Sequence, residues 1–171
     1  AEMHALVRRL TREQPFDIVH ADQLTMGQFA LSAQSGKRVF DAHNAVWTIV
    51  ERGRQTAALP LRPVLGLEAR RLKRYEGWLC GQMDAVLAVS EIDKRLLVEA
   101  GAHGDSITVI PIAVDCRTLT PVQRNPSSTN IVTATTLFYP PNADGVRWFL
   151  HNVFPLVRQA VPAATLSTIG P

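Results

Sequence analysis

The sequence RVFDAHNAVW (38–47) starts as a buried strand and then delivers three polar side chains, Asp41, His43 and Asn44. No glycine or proline marks a turn between the apolar residues and this polar group. Carboxylate, imidazole and amide groups can bind protons or hydroxyl groups. The end of this predicted strand is therefore a candidate functional site.

Polar side chains also end the predicted strands on either side in the sequence. His20 and Asp22 end the preceding strand, and Ser90 and Glu91 end the following one. Ligands of an open parallel sheet bind outside the carboxyl ends of its strands, so these groups should meet at one edge. Capping of the next helix explains Asp, Asn or Ser at such positions equally well. It does not explain His43, which we therefore predict as the main functional residue.

Two other kinds of site are less well supported. Each of the first two strands offers only an alternating pair of His and Asp, whereas a metal site needs three or four supported ligands. We therefore predict no metal. A Ser-His-Asp hydrolase built on Ser90 would need the glycines of a nucleophile elbow, and AVSEI (88–92) has none. The chain also contains no G-x-G-x-x-G and no Walker motif.

Strand and helix patterns alternate along the chain, which predicts an α/β fold with a parallel sheet and right-handed crossovers. The predicted strands are 16–22, 37–43, 84–90, 107–115, 130–138 and 164–170, of which 107–115 is interrupted by Pro111. The predicted helices are 2–12, 23–35, 65–83 and 91–101, and 139–161 is predicted as a turn plus a helix. The first strand is expected to be buried on both faces, because Phe16, Ile18 and Val19 are apolar. Residues 44–63 have only a fragmentary helical pattern, and the polar, proline-bearing segment 116–129 predicts a linker.

Composition excludes several classes of protein. The chain has 171 residues, of which 46% are hydrophobic, and a formal charge of +3, too small to imply nucleic acid. No basic run alternates with aromatic residues, as a binder of single strands would require. No apolar run approaches the roughly 20 residues of a membrane span. Cys80 and Cys116 have no ligand-like spacing, so we expect unpaired thiols in a reducing compartment, the cytoplasm.

Two segments have weaker signals for anion binding. The basic cluster EARRLKRYE (68–76) is predicted on the solvent face of a helix, where it could attract anionic lipid headgroups weakly. In FYPPNADGV (138–146), Asn142 is a candidate N-cap with Asp144 in the first turn. A helix N-terminus of this kind can bind phosphate, although the charge of Asp144 opposes an anion.

Three further segments follow the strands that end in polar residues, and their order is characteristic. They are VIPIAVD (109–115), YPPNADGVRWFL (139–150) and LSTIGP (166–171). The ordered set resembles the retaining GT-B glycosyltransferases of the large family 4 group. The first segment stands where that family typically has Ile-Pro-Asn-Gly-Val-Asp before its interdomain linker. The other two resemble the opening strand, helix and strand of its C-terminal domain.

The resemblance implies a partial GT-B fold, with Rossmann-like domains on either side of a cleft. Residues 1–115 would be most of the N-terminal acceptor domain, 116–129 the linker, and 130–171 the start of the C-terminal domain that binds the donor. Both ends of the chain look like interior segments, so we expect a piece of a longer, cytoplasmic protein that could be peripheral to the inner face of a membrane.

The resemblance also implies roles for individual residues. His43 would be catalytic and face the cleft, with Asn44, Ser90 and Glu91 binding substrate on the same wall. The stretch from Leu137 to Asn142 would form part of the loop that holds the donor phosphates. The activity implied is transfer of a sugar from a nucleotide-diphosphate donor to a saccharide or lipid-linked acceptor, with retention and without a cofactor.

Departures from the family pattern keep other functions open. IPIAVD (110–115) lacks the usual Asn-Gly, and TATTL (133–137) lacks the glycine that usually follows the first strand of the donor domain. The chain also ends before the basic residues and paired glutamates of that domain, so we expect no transferase activity from it alone. A nucleotide-sugar epimerase and a non-catalytic α/β interaction module are the alternatives. Exposed sheet edges further predict self-association.

Overall fold

Two compact units make up the chain, and the division lies between Val114 and Asp115. The computed structural model describes residues 2–34 and 36–171. Parallel strands alternate with helices in both units, which confirms the predicted α/β, Rossmann-like class. Among the described residues, no helix is both long and apolar enough to cross a membrane.

The first unit contains a sheet of four parallel strands in the order β1-β2-β3-β4. The strands are β1 (Ile18–Asp22), β2 (Lys37–Ala42), β3 (Ala85–Ala88) and β4 (Ile107–Val109). The helices are α1 (Glu2–Glu13), α2 (Leu24–Ala30), α3 (Val46–Thr56), α4 (Arg62–Cys80) and α5 (Glu91–Glu99), with short 3₁₀ turns at Leu59–Leu61 and Gly104–Ser106. Sequential strands are neighbours, so each connection crosses over to the adjacent strand.

The register of the sheet aligns the strand ends. Asp22 lies beside Asp41, Ala42 beside Ala88, and Ala88 beside Val109. Because all four strands run in the same direction, the residues that follow them share one edge, which we call the carboxyl edge. The polar residues predicted from the sequence to meet do lie along it.

Apolar side chains between the sheet and the helices form the core of the first unit. Phe40, Val86, Leu79 and Leu97 are at most 1% exposed, and small alanines on the strands let the helices pack closely. Gly77 shows how close this packing is, since a Cβ atom there would lie 1.8 Å from the carbonyl oxygen of Ala100. Only a glycine at position 77 allows α4 to pass the end of α5.

Two predictions about this unit were wrong. The segment predicted as fragmentary helix contains α3, a continuous helix of 11 residues that packs on α4. Strand β1 is not buried on both faces, because Phe16 and Ile18 are 43% and 59% exposed. Among the described residues β1 pairs with β2 alone and forms the edge of the sheet, so one side of it stays accessible.

The second unit is smaller. It contains the parallel strands β5 (Asn130–Ala134) and β6 (Thr165–Ile169) and the helices α6 (Pro140–Asn152) and α7 (Phe154–Ala160). Residues 116–129 contain no helix or strand. Ala164 is its only buried residue among those described, so the unit does not enclose a core.

The predicted helix 139–161 is two helices. Pro155 lacks an N–H group and cannot continue a helical hydrogen-bond ladder, so α6 ends at Asn152 and α7 starts at Phe154. The predicted N-cap was also wrong, since Tyr139 occupies that position and Asn142 lies inside α6. Asp144 is beyond the first turn and pairs with Arg147 at 2.8 Å.

Candidate functional site

A histidine–carboxylate pair lies at the carboxyl edge. The Nε2 atom of His43, in the loop after β2, is 2.7 Å from Oδ1 of Asp22 at the end of β1. The side chains are 48% and 67% exposed, so both can reach a ligand from solvent. Two residues that are 21 positions apart in sequence meet because β1 and β2 are adjacent and in register.

The contact fixes the chemistry of the imidazole. An ionised carboxylate only accepts hydrogen bonds, so a neutral His43 must carry its proton on Nε2 to donate to Asp22. The Nδ1 atom then keeps its lone pair and can accept a hydrogen bond or a proton from a substrate hydroxyl. This is how a carboxylate orients a general base in many enzymes.

A second histidine–aspartate contact runs beside the first. Nε2 of His20 lies 3.5 Å from Oδ2 of Asp41, across the same two strands. That separation is too long for a hydrogen bond of ordinary strength. His20 is therefore a second histidine at the same edge, and its contact with an aspartate is longer than that of His43.

An open cavity of about 390 Å³ lies against His43. Its lining combines polar residues of two loops and the start of α2 with apolar side chains of α3 and α4, namely Gln23, Thr25, Asn44, Ile49 and Leu72. A lining with both polar and aliphatic groups suits a sugar, which has hydroxyl edges and apolar C–H faces. The predicted residues His43 and Asn44 thus share one cavity.

Two carboxylates hold the turn that follows His43. The buried side chain of Glu76 accepts hydrogen bonds from the backbone N–H groups of Val46 at 2.8 Å and Trp47 at 3.1 Å. Oδ1 of Asp93 accepts a longer one, 3.4 Å, from the N–H group of Ala45. These N–H groups begin α3 and have no partner within the helix, so the two acids fix both the helix and the loop before it.

Glu76 is an unusual residue for this position, because its side chain is fully buried. Burial raises the pKa of its carboxyl group, and the two backbone N–H groups oppose that shift. Sequence analysis placed Glu76 on the solvent face with the basic cluster 68–76, which was wrong. It lies on the inner face of α4, three residues before Leu79.

Ser90 and Glu91 follow β3 at the same edge as His43, since Ala42 and Ala88 are paired in register. The hydroxyl of Ser90 is the N-cap of α5 and accepts from the N–H group of Asp93 at 3.1 Å. It also donates to the Asp93 carboxylate. Capping thus occupies Ser90, whereas the side chain of Glu91 is exposed in the first turn of α5.

Leu137 and Asn142 lie in the second unit. The backbone N–H group of Leu137 donates to the carbonyl of Pro171 at 2.8 Å, and the amide of Asn142 donates to the carbonyl of Thr136 at 3.1 Å. The second contact ties α6 to the loop that follows β5. Asn142 thus fixes the shape of the predicted phosphate loop, and its binding role stays a prediction.

Three side chains at the carboxyl edge could also ligate a cation. Asp22, Asp41 and His43 each offer one ligand atom, and these atoms lie within 4.8 Å of one another. Sequence analysis had considered only the pairs within one strand. All three are at least partly exposed, and the hydrogen bond between His43 and Asp22 satisfies both groups without an ion. Asp22 and His43 therefore form a hydrogen-bonding site.

Signals for the two missed acids were present in the sequence. SEID (90–93) has the spacing of a capping box, which predicts that its Asp faces the start of a helix. Glu76 lies four residues after Leu72 and three before Leu79, so helical periodicity places it on the apolar face. A carboxylate on such a face must find N–H partners, although the sequence does not say which.

Comparison with known proteins supports a family assignment. The sequence model of the family described as Glycosyltransferase Family 4 matches residues 1–118, which is more than half of the chain. No curated protein matches the sequence. The matched region includes the whole sheet of the first unit and every residue of the His43 site.

Proposed function

Because this chain belongs to Glycosyltransferase Family 4, we propose that the first unit binds the acceptor of a sugar transfer at the cavity beside His43. The donor in this proposal is a nucleotide-diphosphate sugar, and the acceptor is a saccharide or a lipid-linked saccharide. The anomeric configuration is retained. The observation that carries the proposal is the contact of 2.7 Å between Asp22 and His43, the histidine that lines that cavity.

In the transfer, a hydroxyl oxygen of the acceptor forms a bond to the anomeric carbon on the face from which the diphosphate leaves, as retention in a single step requires. Nδ1 of His43 accepts a hydrogen bond from a reacting or neighbouring hydroxyl and can take up its proton. Asp22 stabilises the imidazolium that results. Proton transfer to a positioned side chain typically contributes about 10²–10⁴-fold to a rate.

The donor side of the reaction is assigned to the second unit. Its predicted contribution is the loop from Leu137 to Asn142, which precedes and enters α6. Backbone N–H groups at the start of a helix can bind phosphate oxygens, and basic side chains stabilise a leaving diphosphate. The amide of Asn142 supports this role by holding the loop against α6.

The test uses the natural full-length protein with a panel of uridine and guanosine diphosphate sugars. We expect His43→Ala to lower kcat by about 10²–10³-fold with the protein still folded. Asp22→Asn should lower it less, since the imidazole remains but loses its orienting charge. The matched control is His20→Ala, which removes a histidine from the same edge but not from the cavity, and it should change kcat by less than about threefold.

Normal turnover by His43→Ala would overturn the catalytic assignment. A separate calorimetric titration with uridine and guanosine diphosphate tests whether the protein is an enzyme of this kind at all. Absence of binding at millimolar nucleotide, together with absence of transfer, would favour the non-catalytic interaction module instead.

A further inference from the structure

The connection between α3 and α4 exposes a cluster of apolar side chains. Leu59, Leu61, Val64 and Leu67 are 73%, 55%, 64% and 49% exposed. They belong to the 3₁₀ turn and to the first turns of α4, and we call residues 57–67 the α3–α4 tip. Contiguous exposed apolar residues mark a surface that binds a partner.

Arginines lie within and beside this tip. Arg54, Arg62 and Arg70 line an open cavity of about 380 Å³ together with Glu51. Nε of Arg54 donates to both carboxylate oxygens of Glu51 at 3.0 Å, so this acid is already paired. Three guanidinium groups face one carboxylate, which leaves the cavity positively charged.

The positive charge is concentrated on this helix pair. Residues 51–74 contain seven Arg and Lys residues against two Glu residues, a net charge of +5, whereas the whole chain has a formal charge of +3. The remainder of the chain is therefore slightly negative. A surface with this charge favours an anionic partner and opposes pairing with a second copy of itself.

The tip also lies at a definite distance from the candidate site. Helix α3 starts at Val46, where Glu76 holds it, and its 11 residues extend about 16 Å to the tip. Val46, at the other end of α3, lines the cavity beside His43, so a partner bound at the tip would lie about one helix length from that cavity. This geometry suits an acceptor whose lipid part stays in a bilayer.

We propose that the α3–α4 tip docks on an anionic lipid bilayer, with its leucines inserted at the headgroup level and Arg54, Arg62 and Arg70 bound to lipid phosphates. Exposed leucines beside arginines are the combination that holds peripheral proteins at such surfaces. Guanidinium groups bind phosphate oxygens in pairs of hydrogen bonds. The inference rests on the proposed function only for the lipid-linked acceptor, because docking itself needs neither donor nor acceptor.

The test is flotation of the full chain with vesicles of phosphatidylcholine alone or with added phosphatidylglycerol. We expect binding to the anionic vesicles that weakens as salt is raised. Arg62→Gln should weaken it about fivefold, and the double change Leu59→Ser and Leu61→Ser about tenfold or more. The matched control is Leu119→Ser with Leu156→Ser, since these leucines are 60% and 62% exposed in the second unit. It should leave binding unchanged.

Equal binding to both kinds of vesicle, or equal losses in the tip and control variants, would overturn the proposal. So would a dimer in sedimentation that Leu59→Ser with Leu61→Ser abolishes while vesicle binding is absent, because the occupant would then be a second copy. Vesicle binding is measured without nucleotide sugar. Docking by a full-length protein that shows no transferase activity would therefore contradict the proposed function alone.

Discussion

The two units use similar elements but differ in what those elements enclose. The first unit has four strands and buries Phe40, Leu79, Val86 and Leu97 almost completely. The second has two strands, and Ala164 is the one buried residue described in it. Two strands with two short helices provide too little apolar area to exclude water from a core.

The difference also separates the kinds of site that each unit can hold. In the first unit, the buried carboxylate of Glu76 and close packing fix the loop that carries His43, as a site for proton transfer requires. In the second, the face of the strand pair that carries Val132 and Ile169 is open, with these residues 57% and 59% exposed. That exposure supports the predicted self-association, which stays a prediction.

The largest expected difference between the units is the loss of stability when a leucine in each is replaced by alanine. Leu79→Ala should lower the free energy of unfolding by about 2–5 kcal/mol, because the side chain is fully buried and packs over Gly27. Leu156→Ala in the second unit should change it by less than about 0.5 kcal/mol, since Leu156 is 62% exposed. Urea unfolding followed by circular dichroism measures both. Equal effects would show that the second unit has a core of its own.

Removal of Glu76 should have the next largest effect. Glu76→Ala leaves the N–H groups of Val46 and Trp47 without their acceptor and should cost about 2–3 kcal/mol of stability. The control is Glu68→Ala on the exposed part of the same helix, which should stay within about 0.5 kcal/mol. A loss as small as the control's would mean that water replaces the carboxylate at the start of α3.

Glu76 also makes a pH-dependent contribution to the free energy of unfolding. Burial raises the pKa of Glu76 above its ordinary value of 4.5, so the folded state binds this proton more tightly than the unfolded state. The contribution of Glu76 to the free energy of unfolding is therefore fully present below the pKa of this group in the unfolded state. It is lost as the pH rises through the pKa in the folded state. The difference in unfolding free energy between the natural protein and Glu76→Gln should shrink as the pH rises above about 4.5. A difference that grows with pH would contradict the raised pKa.

The two cysteine thiols, one in each unit, should differ in their reactivity. Burial raises the pKa of the Cys80 thiol to about 12, whereas Cys116 is exposed in the second unit. Iodoacetamide should therefore modify Cys116 in the folded protein and Cys80 only after urea is added, since the thiolate is the reactive form. Peptide mass spectrometry distinguishes the two sites. Equal labelling rates without urea would show that the core around α4 opens readily.

The sequence predicted the order of the elements better than the contacts between them. Apolar runs located every strand of the sheet, but α3 was missed because Gly53 and the β-branched residues near its start weaken its own helical propensity. Contacts with α4 and the Glu76 carboxylate supply what that propensity lacks. Likewise, the sequence singled out His43 as a polar strand end. Its partner Asp22 depends on strand register, which no local pattern specifies.

The smallest expected effect concerns the exposed ion pair on α6. Asp144 and Arg147 are 74% and 68% exposed and 2.8 Å apart, one turn from each other on the helix. Water and salt screen such a pair, so Asp144→Ala should lower the unfolding free energy by no more than about 0.5 kcal/mol. The same change removes a negative charge near the predicted phosphate loop, so it should not weaken the binding of uridine or guanosine diphosphate. Weaker nucleotide binding without a loss of stability would mean that Asp144 contacts the ligand directly, and that the loop from Leu137 to Asn142 is not where the phosphates lie.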